Sequence, residues 1–407
     1  MIDGKSFFLV GIGGSGMMPL ATILAGRGAI VAGSDRSLDA GRVPGKFAAL
    51  RALGVALHPQ DGSGVSPDQI VVASAAVEAT VPDIVRAAEL GCARMSRAEL
   101  NAALFNAAPV SIGVAGTSGK STVTGMIARI LHAAGREPTV MNGAAMADFA
   151  GAGALIGAGT IHVSEVDESD GSIALYRPTI AVLNNVSRDH KEMAELRDLF
   201  GGFLARAGTA VVNVADAEAA ALAPAGAMTV AVGGMADLVA TDLRPEPHAI
   251  TFDLHSPSPF RGLAAPSLSQ RERETGASAP AGEGDRLTIR LAVPGAHNVA
   301  NALAALGACA AAGVPIADAV RAIETFTGLR RRFERIGAAA GVTVLDDFGH
   351  NPDKIAATLA TLRAFPGRLL ILFQPHGYRP LRQLRAELAA AFASGLAAGD
   401  LLVLPDP

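Results

Sequence analysis

Short apolar runs ending in glycine, each followed by an apolar-periodic stretch, recur along the chain. This is the pattern of parallel strands feeding helices. Ser6 to Val10 reads as a buried strand, Gly11-Ile-Gly13-Gly14-Ser15-Gly16 as a turn, and Met17, Met18, Leu20, Ile23 and Leu24 as the inner face of a helix. A second strand over Ala29 to Ala32 ends at Gly33-Ser34-Asp35, a third over Ile70 to Ala73 ends at Ser74, and helices are expected at 82–90 and 97–104. This is a Rossmann-type opening, with an acid where a ribose hydroxyl would sit. After a linker at Asn106 to Pro109 the pattern restarts, with strands predicted at Val110 to Val114, Thr160 to Ser164, Thr179 to Leu183 and Ala210 to Asn213. A hairpin follows, Ala249 to Leu254 with Arg286 to Val293, interrupted over about 255–285 by Ser, Pro, Gly and charged residues that cannot bury a core. A helix is expected after Gly295. Further strands are read at Thr343 to Asp347, Leu369 to Phe373 and Asp400 to Leu404, forming a parallel sheet that would lack its last crossover helices, so the third domain is expected to be incomplete. The predicted fold class is α/β in three domains, at 1–106, 107–327 and 328–407.

Composition narrows the partners. The 407 residues are half apolar and carry a net charge of −4, with no tryptophan, so large cores are affordable and nothing favours a polyanionic macromolecule. Nucleic acid and membrane partners are not implied. Cys92 and Cys309 have neither metal-ligand nor disulfide spacing, and the N-terminus has no secretory pattern, so a cytoplasmic protein is expected.

The strongest chemical signal is Gly113-Val-Ala-Gly116-Thr117-Ser118-Gly119-Lys120-Ser121-Thr122, placed between a strand and a helix. Loop amides and the helix N-terminus suit phosphate oxygens, Lys120 adds a mobile positive charge, and the Ser121 hydroxyl suits Mg2+. A nucleoside triphosphate is the predicted ligand. Glu165-Val-Asp167-Glu168-Ser169-Asp170 then places four acids at a strand end, read as a hard-cation site beside the phosphates. His190 also follows a strand and is a candidate metal ligand. The run Arg330-Arg331-Arg332 reads by itself as a solvated face.

The order of these motifs resembles the Mur ligases of peptidoglycan synthesis, within them the alanine-adding branch. The resemblance rests on Gly11 to Met17 with Gly33-Ser-Asp35, Ala115 to Ser121, Glu165 to Asp170, Asn185-Val-Ser-Arg-Asp-His190, His297-Asn-Val-Ala-Asn301, Arg331-Arg-Phe-Glu334 and Asp346-Asp-Phe-Gly-His350. It implies a UDP-sugar domain, a central ATPase and a C-terminal domain that closes over ATP. It also implies amide formation through an acyl phosphate, with ATP and Mg2+ as cofactors. The substrates would be a UDP-N-acetylmuramate-type nucleotide sugar and an amino acid or short peptide. On this resemblance Gly116 to Thr122 with Lys120 hold phosphates, Ser121, Glu165 and His190 hold metal, and Arg332 reaches the γ phosphate. Asn301 and Asp347 contact the nucleotide, and His350 organises the acyl phosphate and the amine. Gly11, Gly13, Gly14, Ser15, Gly16, Asp35 and Ser74 bind the sugar nucleotide, and His376 and Arg379 the amino acid. The family usually has histidine and threonine where this chain has Ser118 and Ser121, and arginine where it has Gly377. The alternatives are a recycling ligase that attaches a whole peptide, a non-catalytic nucleotide-binding homologue, and an NAD-dependent oxidoreductase, which would leave the phosphate loop without a role.

Overall fold

The computed structural model describes residues 2–188, 191–256, 286–375 and 378–405. The first sheet is built from β1 (Ser6–Val10), β2 (Ile30–Ser34), β3 (Ala56–His58), β4 (Ile70–Ala73) and β5 (Arg94–Ser96), all parallel, in the order β3-β2-β1-β4-β5. Chain order reverses between β1 and β4, the place where such sheets bind ligands beyond the carboxyl ends of their strands. β1 is apolar along its length because both its faces are covered: Phe7 and Leu9 join one core, Phe8 and Val10 the other. Gly33 of β2 is needed where it stands, since a Cβ there would lie 2.5 Å from the Leu9 carbonyl oxygen.

The second sheet runs through β6 (Val110–Ala115), β7 (Thr139–Met146), β8 (Ala152–Leu155), β9 (Ile161–Glu165), β10 (Ile180–Leu183), β11 (Thr209–Asn213), β12 (Met228–Val232), β13 (Leu238–Glu246), β14 (Ala249–His255) and β15 (Arg286–Leu291). Their spatial order is β15-β14-β13-β12-β11-β10-β6-β9-β7-β8. β6 lies between β9 and β10, parallel to both, so the loop after it emerges among three carboxyl-terminal strand ends. The helices Lys120–Ala133, Ala296–Ala311 and Ile316–Ile323 bury one face of this sheet, and Met193–Ala205 covers the other with Phe200 and Phe203. Gly113 leaves room for this second layer, because a Cβ there would lie 2.9 Å from the Phe203 ring.

The hairpin read at 249–293 is observed: β14 and β15 pair antiparallel, with His255 opposite Arg286. The intervening segment over about 255–285 falls, from residue 257 on, outside the described residues. The strands bracketing it are pinned by Asp253, which is buried and accepts from the Thr288 hydroxyl and from Arg286 and Arg244. The Thr288 hydroxyl and then the two guanidiniums hold its carboxyl down to about 2 against the opposing effect of burial.

The third region departs from a single parallel sheet. β16 (Glu334–Ala339) and β17 (Val342–Asp346) form an antiparallel hairpin, while β18 (Leu370–Leu372) and β19 (Leu401–Val403) form a separate parallel pair. β16 lacks a buried face and therefore shows no period-2 signal in the sequence. Helices Pro352–Leu362 and Tyr378–Gly395 pack through Ile355, Leu359, Leu388 and Phe392. Among the described residues no helix is long and apolar enough to cross a membrane.

Candidate active site

The loop that follows β6 owes its shape to two glycines. Gly116 has φ +133° and Gly119 φ +88°, and a Cβ on Gly119 would lie 2.4 Å from Asn301 Oδ1. Gly119 opens the Lys120–Ala133 helix, whose N-terminus faces the cleft. Around the loop lies a set of side-chain amides, of which Asn184, Asn298 and Asn301 are buried. Ser118 N donates to Asn185 Oδ1 (2.8 Å), Asn185 Nδ2 donates back to Ser118 O (2.9 Å), and Thr117 exchanges hydrogen bonds with the Ser187 backbone. Asn184 Nδ2 donates to Asn301 Oδ1 (2.8 Å), and Asn301 Nδ2 donates to Asn298 Oδ1 (3.0 Å). Asn301, expected at the nucleotide, has its amide committed to fixing the underside of the loop while still lining the cleft.

Charged groups meet at the ends of β9 and β6. Lys120 Nζ donates to Gly116 O (2.8 Å) and to Glu168 Oε2 (2.9 Å). Ser121 Oγ donates to Glu165 Oε2 (2.7 Å). Burial pushes the Glu165 carboxyl above its ordinary range, opposed by the Ser121 hydroxyl and by the charges of Lys120 and Arg332. Space for that carboxylate comes from Gly143 of β7, where a Cβ would lie 1.9 Å from Glu165 Oε1.

The expectation that the four acids converge on a cation needs correction. Glu168 pairs with Lys120, Asp170 faces Arg97 at 3.8 Å, and Asp167 accepts from Ser169 N. Successive residues of a turning loop point apart, and among the described residues no group of three or more potential ligands comes together. What remains suited to a hard cation is the Ser121 hydroxyl with the part-buried Glu165 carboxylate, two adjacent oxygens of the right type. His190 lies outside the described residues.

The third region supplies the facing wall of a cleft of about 550 Å³. The segment joining it to the second sheet is anchored on β7 and the turn that follows, with Arg330 N donating to Ala145 O (2.9 Å) and Ala147 N to Gly328 O (3.2 Å). Arg331 and Phe333 both hold positive φ, 59° and 54°, uncommon for residues with side chains. Arg330 and Arg331 are exposed, as a solvated run would be, whereas Arg332 turns into the cleft beside the Phe348 ring, 5.3 Å from its centroid. Desolvation lowers the Arg332 pKa, opposed by the charges of Asp347 and Glu165. Asp347, expected at the nucleotide, accepts from Phe333 N (3.0 Å), Gly349 N (3.1 Å) and Thr358 Oγ1 (2.7 Å), so it also braces the wall that carries Arg332. His350 lines the cleft, its Nδ1 3.0 Å from Phe348 O and its Nε2 3.4 Å from Lys354 Nζ. His376 lies outside the described residues, and of Arg379 only its place in the first turn of the Tyr378–Gly395 helix is described.

At the first sheet, the Gly11–Gly16 turn, Asp35 and Ser74 gather beyond the ends of β1, β2 and β4. Ser15 and Gly14 are exposed there. Asp35 is engaged by the backbone of its own domain. Its Oδ2 accepts from Gly13 N (2.8 Å) and its Oδ1 from Ser37 N (2.8 Å), so it shapes the glycine turn and caps the next helix. Arg97, which sequence reading passed over, stands beside Gly16, where a Cβ would lie 3.0 Å from its guanidinium, between this turn and Asp170. Gly143 was also missed, since one glycine within an unrecognised strand gives no sign that a carboxylate from another strand needs its space.

Sheet order, loop and helix define an α/β protein of the phosphate-loop class. Three domain descriptions match it in chain order: "Mur ligase family, catalytic domain" over 7–108, "Mur ligase middle domain" over 114–309 and "Mur ligase, glutamate ligase domain" over 331–404. The chain is 35% identical to a UDP-N-acetylmuramate–L-alanine ligase of Mycobacterium marinum, covering 98% of this chain and 80% of that protein. It is 36% identical to one of Streptomyces coelicolor, covering 97% and 82%. Among solved structures it resembles the UDP-N-acetylmuramate–alanine ligase of Thermotoga maritima, with TM-score 0.78 and 23% identity over 99% of this chain and 90% of that one. A murein peptide ligase of Psychrobacter arcticus follows the same fold, with TM-score 0.71 and 21% identity over 99% and 91%. The chain belongs to the Mur ligase family.

Proposed function

We propose that this protein is an ATP-dependent ligase that joins L-alanine to the muramate carboxylate of UDP-N-acetylmuramate in the cytoplasm, through an acyl phosphate. A carboxylate does not form an amide directly, because the anion repels the amine nucleophile and has no leaving group. Transfer of the γ phosphoryl group creates one, and catalysis becomes placement and charge neutralisation. The loop Gly116 to Thr122 and Lys120 hold the phosphates, and Arg332 approaches the transferred group from the opposite wall. Ser121, Glu165 and His190 are the residues that would hold Mg2+. When bound, the ion neutralises phosphoryl oxygens and polarises the group under attack. Asn184, Asn301 and Asp347 keep the loop and the Arg332 wall in place. His350, which lines the cleft, is the proposed group for orienting the acyl phosphate and the amine. The turn Gly11 to Gly16, with Asp35 and Ser74, receives the sugar nucleotide, and His376 and Arg379 are the proposed amino-acid contacts.

The observation that carries this reading is the meeting of Lys120, Ser121, Glu165 and Arg332 in one cleft of a chain 35% identical to alanine-adding ligases. The test is phosphate release with ATP and UDP-N-acetylmuramate against a panel of amino acids and peptides. Turnover with L-alanine is expected. Turnover with a γ-D-glutamyl peptide alone would replace this reading by the recycling ligase, and inertness with every amine by a non-catalytic homologue.

A further inference from the structure

Lys120 is already neutralised. Its ammonium group sits between the Gly116 carbonyl oxygen (2.8 Å) and a Glu168 carboxylate oxygen (2.9 Å), and both side chains are largely withdrawn from water, at 18% and 7% exposure. An ion pair shielded in this way is screened little by salt, and neither partner is easily separated. The surroundings are acidic overall. Among the described residues lining the cleft, Glu165, Asp167, Glu168, Asp216, Asp347 and Asp353 face only Lys120, Arg332 and Lys354. A polyphosphate entering this cleft therefore does not meet a free lysine.

We propose that Glu168 is an internal stand-in for a phosphate oxygen at Lys120, so that nucleotide binding is an exchange of one anion for another. The inference rests on the phosphate-loop reading above and extends it to a residue that determines nucleotide affinity. Glu168 follows Glu165 by three residues on the loop leaving β9, so the exchange requires only that its side chain leave Lys120 while Glu165 stays hydrogen-bonded to Ser121. The pair keeps Lys120 aimed into the cleft, and part of the nucleotide's binding energy is consumed in breaking it.

The test is calorimetric titration of Mg2+-ATP, without sugar nucleotide, into the full chain and three variants. Glu168→Gln keeps the shape and removes the charge, and should bind about five- to tenfold more tightly than the parent. Glu168→Asp withdraws the carboxylate by one methylene and should fall between the two, and it serves as the second variant if the amide fails to fold. Asp353→Asn removes a like charge from the same cleft without touching Lys120, and should change affinity less than twofold. Unchanged or weaker binding by Glu168→Gln would overturn the exchange and make Glu168 a support for the lysine. Equal tightening by Asp353→Asn would overturn it too, as a general field effect. No binding of ATP to the parent chain would instead overturn the phosphate-loop reading itself.

Discussion

The chain places glycines between a strand and a helix twice, at Gly11–Gly16 and at Gly116–Gly119, and the two turns do different work. At the first, the neighbouring acid Asp35 gives both oxygens to backbone N–H groups of its own domain. At the second, the neighbouring strand β9 and the loop leaving it bring two acids to a lysine and a hydroxyl, over a layer of asparagine amides. At the first turn the acid is engaged by backbone N–H groups and holds the turn from the side; at the second the charges face one another in the cleft and the loop is held from below. Glycines fix how closely a ligand's phosphates can approach, whereas the adjacent strand ends decide whether there is charge to act on them.

The sharpest way to break this contrast is to remove the charge. Lys120→Ala is expected to lower ATP-dependent phosphate release by roughly a thousandfold or more, because a preorganised cationic contact acts mainly on the transition state. Sugar-nucleotide binding at the first turn should be unchanged. Gly143→Ala tests the charged turn from behind. Its Cβ would sit 1.9 Å from Glu165 Oε1 and push the carboxylate out of line with Ser121. We expect about a 10- to 100-fold rise in the Mg2+ concentration needed for turnover, the usual cost of disturbing the support of a metal ligand. Unaltered Mg2+ dependence would remove Glu165 from the metal site.

The wall between the two turns makes a third, smaller prediction. β9, which delivers Glu165, also carries His162, fully buried against Phe105, with neither ring nitrogen in a hydrogen bond. Desolvation, helped by the charge of Arg27, pushes its pKa down to about 3 from an ordinary 6.5. The unfolded chain takes up a proton below pH 6.5 that the folded chain refuses, so stability is complete above 6.5 and is lost as pH falls from there toward 3. At pH 5 this one group should cost about 2 kcal/mol. His162→Leu should show that much less loss between pH 7 and pH 5 in urea unfolding. Equal slopes for the two proteins would mean that the ring gains a partner in solution.

Both turns were legible in the sequence because the residues that let a backbone cradle a ligand have to be contiguous: glycines in both, with a lysine and a hydroxyl beside them in the second. So were the strands buried on both faces, such as Ser6–Val10 and Ile180–Leu183, since their apolar runs are uninterrupted. The strand Glu334–Ala339 was not legible, because it buries neither face and carries no period. The acids of 165–170 were readable as a cluster but not as partners. Glu168 belongs to a lysine 48 residues earlier and Glu165 to a serine 44 residues earlier, pairings set by sheet order rather than spacing. The roles of Asn301, Asp347 and Asp35 were blurred for the same reason. A polar residue beside a ligand site and one that braces the loop from behind look alike in sequence, and only the direction of their hydrogen bonds separates them.

Asp35 offers the finest test of that distinction. If it shapes the first turn, its removal should cost a helix cap and one hydrogen bond to a backbone amide, about 1 kcal/mol each in stability, and the part that falls on the glycine turn should appear as a rise of roughly fivefold in the Michaelis constant for the sugar nucleotide. Asp35→Asn can keep the cap, since its Oδ1 still accepts from Ser37 N, but it turns an NH2 group toward Gly13 N. Its effect should therefore fall on the glycine turn, leaving ATP affinity unchanged. A sugar nucleotide lacking the ribose 2′-hydroxyl separates the two roles. With Asp35 as a brace, the parent and Asp35→Asn lose the same factor on removal of that hydroxyl, because the carboxylate never touched it. A loss in the parent that disappears in Asp35→Asn would mean that the carboxylate leaves Gly13 and contacts the ribose when the ligand binds, and the first turn would then be as ligand-responsive as the second.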